Sequence, residues 1–316
     1  MLKRIVTIQD ISCFGKCSLT VAHPILCAMG LETAVIPTAV LSTHTYQFKD
    51  YTFRDLTSDI PAIATHWKSL NLQFDGIYTG YLGSQEQVQI VSDFFDTFRN
   101  EHTSIIVDPV MGDAGKLYAG FTADFVQEMK ALCKKADIIA PNMTEAALLL
   151  DRPYRTDYTE AEIQELLKEL TDLGAPTVVL TGVQYADGRH GAVAYDSQSN
   201  QYHAAFRKHI GGYFAHGTGD IFSSLLSGAI VKGASLEKAV SLAVNLTTDC
   251  IEATLPDKDT YWYGVSFESC MGKIDTARRI AIIATDTYPT NLFTLVRVLA
   301  TTSDLLTLRT PSSDFA

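Results

Sequence analysis

Arg4-Ile5-Val6-Thr7-Ile8 is a short, β-branched, apolar run. It leads into the polar segment Asp10-Ile11-Ser12-Cys13-Phe14-Gly15-Lys16-Cys17-Ser18 and then into the apolar stretch Leu19 to Met29. The first piece reads as a buried strand. The second reads as a Gly-containing turn, and the third as a helix closed by Gly30. Ala34 to Val40 is a second strand-like run, interrupted at Pro37. Strand, loop, helix, strand is the βαβ unit of a parallel sheet. Ligands of such sheets sit at the carboxyl ends of the strands. The tips at Asp10 to Ser12 and at Ser42-Thr43-His44-Thr45 therefore become candidate site residues, although either tip alone is equally well explained by ordinary turn chemistry.

The same grammar continues. Tyr51 to Leu70 is mixed in polarity and helical after Pro61. Asp75 to Ser84 reads as a short strand ending in a Gly-rich turn, and Gln85 to Phe98 as an amphipathic helix with Val88, Val91, Phe94, Phe95 and Phe98 on one face. Those aromatic residues are core packing. Ser104 to Val107 is a buried strand running into Asp108-Pro109-Val110-Met111-Gly112-Asp113. An acid at a strand's carboxyl end followed by Pro and Gly suits a metal or phosphate site, but two loop carboxylates alone say little. Phe121 to Cys133 is helical, Asp137 to Ala140 is a strand, and Pro141-Asn142-Met143-Thr144-Glu145 opens the next helix, through Leu150. Taken alone, Asn142 and Glu145 read as a capping box. A helix over Ala161 to Leu173 and a strand at Thr177 to Leu180 lead to Thr181-Gly182. Gly191 to Tyr195 and Gln201 to Phe206 then flank a turn and read as an antiparallel edge hairpin.

His216-Gly217-Thr218-Gly219-Asp220 precedes an apolar helical run through about Val231. Two glycines, a threonine and an acid at a helix start put backbone N–H groups and the positive end of a helix dipole beside a carboxylate. Phosphoryl transfer to a hydroxyl needs that pair: a cradle for an anion and a group to handle a proton. Leu236 to Glu252 is a further helix. Asp275 to Ala316 is Thr-rich, carries no motif and reads as a surface appendage, in part disordered.

With 316 residues and 47% hydrophobic content, the chain can bury a large α/β core. A net charge of −11 argues against non-specific nucleic-acid binding, so an anionic nucleotide must be met by local N–H groups, metal and a few cations. The six cysteines form no C-x-x-C pair and read as free thiols of a reducing compartment. Met1 to Val6 enters a strand directly, so no signal peptide is expected, and no run reaches the ~18 apolar residues of a membrane span. A cytoplasmic protein bound to neither nucleic acid nor membrane is expected.

Six stretches, in order and at matching spacing over about residues 1–273, resemble the pyridoxal/pyridoxamine kinase family of the ribokinase-like superfamily. They are Ile8-Gln9-Asp10 with Gly15, Ser42 to Thr45, Thr79 to Ser84, Asp108 to Asp113, Pro141 to Glu145 and Gly217 to Asp220. The resemblance implies a three-layer α/β/α sandwich over residues 1–274, with 275–316 as an extension that inherits nothing from it. It implies ATP and Mg²⁺, leaves a monovalent cation open, and suggests a homodimer. By the same resemblance Asp220 is the catalytic base, and Gly217, Thr218 and Gly219 form the anion hole. Asp108 and Glu145 lie at the metal, with Asn142, Thr181 and Gly182 on the nucleotide side. Asp10, Ser12, His44, Thr45 and Tyr81 line the acceptor pocket beside Asp220. The implied reaction is phosphorylation of the 5′-hydroxymethyl group of a vitamin B6 vitamer. Many pyridoxal kinases carry Ser where this chain has Asp10, which leaves the preference among vitamers open. Two alternatives stand: a hydroxymethylpyrimidine kinase of thiamine synthesis, and a vitamer-binding protein without turnover.

Overall fold

The computed structural model describes residues 2–211 and 216–274. The 275–316 segment, read above as an appendage, lies outside the described residues. Nine strands form one sheet: β1 (Arg4–Ser12), β2 (Glu32–Leu41), β3 (Phe53–Asp55), β4 (Gly76–Thr79), β5 (Ser104–Val107), β8 (Ile138–Ile139), β9 (Thr177–Gln184), β10 (Arg189–Asp196) and β11 (Gln201–Lys208), in the order β11-β10-β9-β8-β5-β4-β1-β2-β3. The six strands from β9 to β2 are parallel; β10 and β3 run against them at the two margins, and β11 pairs antiparallel with β10. The hairpin expected at an edge is β10–β11. A separate small hairpin, β6 (Gly112–Asp113) with β7 (Lys116–Leu117), follows β5 and was not legible in the sequence.

Side chains alternate across the parallel strands and build two cores. Val6 and Ile8 of β1, Ile105 and Val107 of β5, and Val178 and Leu180 of β9 face one layer; Ile5, Ile106 and Val179 face the other. The first layer holds α2 (Ile60–Ser69), α3 (Gln85–Phe98), α4 (Ala123–Cys133), α5 (Met143–Leu149) and α6 (Glu160–Asp172). The second holds α1 (Leu19–Ala28), α7 (Thr218–Val231) and α8 (Leu236–Thr254). This is the three-layer sandwich. Phe94 and Phe98 form a ring cluster with Phe74 through tilted and edge contacts, as core packing requires.

Several boundaries differ from the sequence expectation: β9 continues through Thr181 and Gly182 to Gln184, and β3 precedes α2 where no strand was expected. Asp10, Ile11 and Ser12 belong to β1, not to a turn: Ile11 and Ser12 pair with Val40 and Leu41 beyond a register shift at Gln9. The shift lets polar residues continue the strand. Nor does Pro37 interrupt β2. β3 pairs only with Ala39 to Leu41, so the missing proline N–H faces an uncovered flank.

Helix α1 leaves β1 on one face of the sheet, toward β2; α3 leaves β4 on the other face, toward β5. The sheet therefore has its topological switch between β1 and β4, where a crevice opens at the strand ends. Backbone bonds carry that rim onward: Gly80 N–H to Ile8 O (3.1 Å), Asp108 N–H to Thr79 O (3.0 Å), Ala140 N–H to Val107 O (2.9 Å) and Thr181 N–H to Pro141 O (2.9 Å). The candidate motifs of five strands are thereby aligned on one edge.

Candidate active site

Asp220 is the third residue of α7, whose N-cap is Gly217. The helix begins at Thr218, two residues before the acid, so Asp220 lies inside the first turn. N–H groups of a first turn have no acceptor within their own helix, and the acid there is favourably placed toward the dipole. Gly217 is required by its backbone. Its φ is +78°, and a Cβ there would lie 2.3 Å from the Lys16 carbonyl oxygen. Gly264 closes on the same loop from the other side, since a Cβ there would meet Lys16 Cβ at 2.7 Å and the Gly15 carbonyl at 2.8 Å. Residues 15–18 are thus clamped between two glycines, with Gly15, Lys16 and Ser18 all at positive φ.

That loop delivers Cys17 and Ser18 to Asp220. The Cys17 thiol donates to Asp220 Oδ2 at 3.3 Å, and the Ser18 backbone N–H also donates to the carboxyl. Burial pushes the Asp220 carboxyl up to about 6, these donors pull it down, and the nearby Asp10 raises it further. Gly217→Ala is expected to release the clamp. The left-handed backbone alone costs about 1–2 kcal/mol, and differential scanning fluorimetry should report a clearly lowered Tm. Gly219→Ala is the contrast, because nothing lies within 4 Å of a Cβ there and φ is not positive. It should leave Tm unchanged or raised, since Ala is the better helix former.

The acids form a row along the strand ends. Asp108, buried after β5, accepts from the Ser223 hydroxyl of α7 at 2.8 Å. Burial and the charge of Asp220 raise its pKa to about 7 against that hydrogen bond. Glu145, buried in the first turn of α5, is raised well above the ordinary carboxylate value, by burial first and Asp108 second. Its oxygens accept from Met111 N–H (3.1 Å) and Asn142 N–H (2.8 Å), and the Gly112 N–H also lowers it. Asn142 accepts in return from the N–H groups of Thr144 and Glu145 and donates to the Gly112 carbonyl. The capping box read from the sequence is therefore formed, and it fixes Glu145 beside Asp108. Thr181 bridges to Asn142 across the strand ends, and Gly182, at φ +68°, has open space where a side chain would stand.

On the acceptor side, Asp10 is buried and accepts from the Ser12 hydroxyl at 3.0 Å. Tyr81 stacks on Phe121, and its phenol is pushed up to about 12 by burial and by Asp10. His44 is buried, with Nε2 2.7 Å from the Tyr263 carbonyl and Nδ1 accepting the Tyr46 N–H at 3.2 Å. Its neighbour Thr45 is exposed. His216 stacks on His44, and burial pushes it down to about 4. Phe14, Phe48, Trp262 and Tyr263 continue this aromatic wall. Sequence reasoning missed Cys17, Ser18, Ser223 and the residues 262–263. Only Ser223, one helical turn after Asp220, had a local signal.

An α/β sandwich with a row of carboxyls at the strand ends and a Gly-Thr-Gly-Asp helix start is the arrangement of the ribokinase-like kinases. Residues 27–261 match the family model described as phosphomethylpyrimidine kinase, and the chain belongs to that family. The chain is similar to the pyridoxine/pyridoxal/pyridoxamine kinase of Bordetella avium, 28% identical over 280 residues, spanning 82% of this chain and 91% of the relative. It is also similar to the hydroxymethylpyrimidine/phosphomethylpyrimidine kinase of Haemophilus influenzae, 30% identical over 193 residues, spanning 56% of this chain and 64% of that one. Among solved structures, one from Bacteroides thetaiotaomicron with a provisional assignment as a phosphomethylpyrimidine kinase, in a crystal form with pyridoxal, superposes with a TM-score of 0.83. It is 41% identical and covers 87% of this chain and 96% of its own. The pyridoxal kinase of Lactobacillus plantarum follows, with a TM-score of 0.79, 30% identity, and coverage of 87% and 97%. The protein is thus a kinase of the pyridoxal and hydroxymethylpyrimidine kinase group. No helix among the described residues is long and apolar enough to cross a membrane.

Proposed function

We propose that this kinase transfers the γ-phosphoryl group of ATP to the 5′-hydroxymethyl group of a vitamin B6 vitamer. The observation that carries the reading is the position of Asp220. Its carboxyl sits in the first turn of α7 with a pKa of about 6, between Asp10 on one side and the Asp108–Glu145 pair on the other. A hydroxyl is a poor nucleophile at neutral pH. A base within hydrogen-bond reach contributes about 10²–10⁴-fold, and a carboxyl titrating near 6 is ionised at pH 7 yet basic enough to take the proton. The N–H groups of Gly217, Thr218 and Gly219 receive the charge gathering on the transferring phosphoryl.

Asp108 and Glu145 fit a divalent cation. Two buried, mutually repelling carboxyls with raised pKa values are the electrostatic signature of a cation partner. No group of three or more His, Cys, Asp or Glu side chains with metal-binding geometry occurs among the described residues. Two protein acids with water and phosphate oxygens is the habit of Mg²⁺. Because Glu145 already accepts backbone N–H groups on both oxygens, it would hold a cation through water. Asp108 and Glu145 would hold Mg²⁺, which would supply neutralisation of phosphate charge, while Asp220 handles the proton.

The family match to phosphomethylpyrimidine kinase favours hydroxymethylpyrimidine as the second reading. A panel with ATP and Mg²⁺ separates the two. The account expects kcat/KM for pyridoxal, pyridoxamine or pyridoxine to exceed that for hydroxymethylpyrimidine at least about ten-fold, a difference of 1.4 kcal/mol in transition-state binding. The reverse order assigns the protein to pyrimidine phosphorylation.

A further inference from the structure

The acceptor side of the site has an unusual charge balance. Asp10 lies at the end of β1 and is 5% exposed. Its hydrogen-bond donors are the hydroxyls of Ser18 and Ser12 and its own backbone N–H, all neutral. Asp220, the next carboxyl, is held by a thiol and a backbone N–H, also neutral.

The basic groups nearest this pair are committed elsewhere. His44 donates Nε2–H to the Tyr263 carbonyl and uses Nδ1 to accept from Tyr46 N–H, so both nitrogens are occupied in the neutral tautomer. Burial, the largest influence, favours that form, while the Tyr263 backbone, the charge of Asp10 and the Gly15 backbone pull the other way; between the His44 and Asp10 side chains the influence acts only through space. Lys16 sits in the clamped loop, but its ammonium is paired with Glu268 at 2.5 Å and lies over the rings of Tyr261 and Phe267. No lysine or arginine acts on the charge of either Asp10 or Asp220. Two carboxyls that repel one another, with no lysine or arginine beside them, are costly when ionised, and a cationic ligand offsets that cost.

We infer that Asp10 is a specificity determinant that selects acceptors presenting a protonated nitrogen, making the preferred substrate a cationic heteroaromatic alcohol. This rests on the proposed transfer to a hydroxymethyl group at Asp220. The nitrogen is either a ring N–H⁺ or an alkylammonium, and both offer Asp10 the same charge-assisted hydrogen bond. Ser12 and Ser18 hold the carboxyl in place. His44, whose neutral form burial favours and whose ring nitrogens meet the Tyr263 carbonyl and the Tyr46 N–H, makes no hydrogen bond to Asp10 that would compete with a ligand.

The test uses the full chain and needs no turnover: isothermal titration calorimetry of wild type and Asp10→Asn with pyridoxamine and with pyridoxine. Asparagine keeps the shape and removes the charge. Weakening by about 30-fold or more is expected, as for a truncated buried charge pair. Loss confined to pyridoxamine identifies the ammonium as the recognised group; equal loss for both identifies the ring nitrogen. Either outcome upholds the inference. A change below about three-fold for both ligands overturns it. Thermal unfolding of Asp10→Asn accompanies the titration, so a misfolded variant is not read as lost recognition; in that case Asp10→Ser replaces it under the same criteria. Turnover of vitamers by wild type with no effect of Asp10→Asn on binding defeats this inference alone. Binding weakened by Asp10→Asn without any turnover by wild type defeats the kinase reading alone.

Discussion

Asp220→Asn is expected to lower kcat by about 10²–10⁴-fold, the usual contribution of a positioned base. Asparagine fits the same first turn of α7, and its carbonyl oxygen can accept from the Ser18 N–H while the weakly donating Cys17 thiol gives way, so the fold should persist. What it loses is the ability to take a proton. Because burial holds the Asp220 carboxyl at about 6, kcat/KM of the wild type should climb as pH rises to about 6 and then level off. The variant should lack that limb. Stability follows with a definite sign. The folded pKa lies above the ordinary value of 3.8, so the native state holds the extra proton between about pH 4 and 6. Asp220 therefore contributes a loss of stability as pH rises through that window, and Asp220→Asn should flatten the dependence of Tm on pH there.

The second large effect separates two neighbouring acids. Asp108→Asn is expected to abolish most activity and raise Tm; Glu145→Gln is expected to impair activity and lower Tm. Asp108 accepts from the Ser223 hydroxyl and is raised to about 7 by burial and by Asp220, so at neutral pH its charge destabilises the native state. Removing a desolvated, repelled carboxyl should stabilise by a few degrees, since about 1 kcal/mol moves Tm by roughly 2–4 °C in a chain of this size. Function retained at a cost in stability is the expected pattern for a site acid. Glu145 differs because both oxygens accept backbone N–H groups from Met111 and Asn142. Glutamine turns an NH₂ toward one of those donors and leaves a buried N–H unmet, at about 1–3 kcal/mol. Glu145→Gln should also raise the Mg²⁺ concentration needed for half-maximal rate more than it raises KM for the vitamer. Thermal scans and Mg²⁺ titrations of the two variants check both signs. Equal and same-signed Tm changes would contradict the assignment of distinct environments.

These environments explain what was legible in the sequence. The short runs rich in β-branched residues in β1, β4, β5 and β9 and the helical periodicities of α3 and α6 are local, and so were readable. The ends of the parallel strands followed from the βαβ order, which brought Asp10, Asp108, Asn142 and Thr181 to one edge. The capping box at Asn142 and Glu145 was equally local, and its formation is what seats Glu145 at the site. Illegible were contacts between distant residues. Cys17 meets Asp220 across 203 positions, Ser223 meets Asp108 across 115, and His44 meets Tyr263 across 219. Nothing in a local pattern announces such pairs. Asp10 and Ser12 were assigned to a turn because polar residues at a strand end look like one. The register shift at Gln9, which keeps them in β1, arises from pairing with β2. Pro37 misled for a related reason: its missing N–H matters only where a neighbour needs it, and β3 is too short to reach it.

The account turns on Asp220 acting as the base for phosphorylation of a hydroxymethyl group. The most direct measurement is ADP release by wild type and Asp220→Asn with pyridoxal, ATP and Mg²⁺ at pH 8, where the wild-type carboxyl is ionised. The account predicts vitamer-dependent ADP release by wild type and a kcat about 10²–10⁴-fold lower in the variant. A variant that turns over pyridoxal at near wild-type kcat would contradict it.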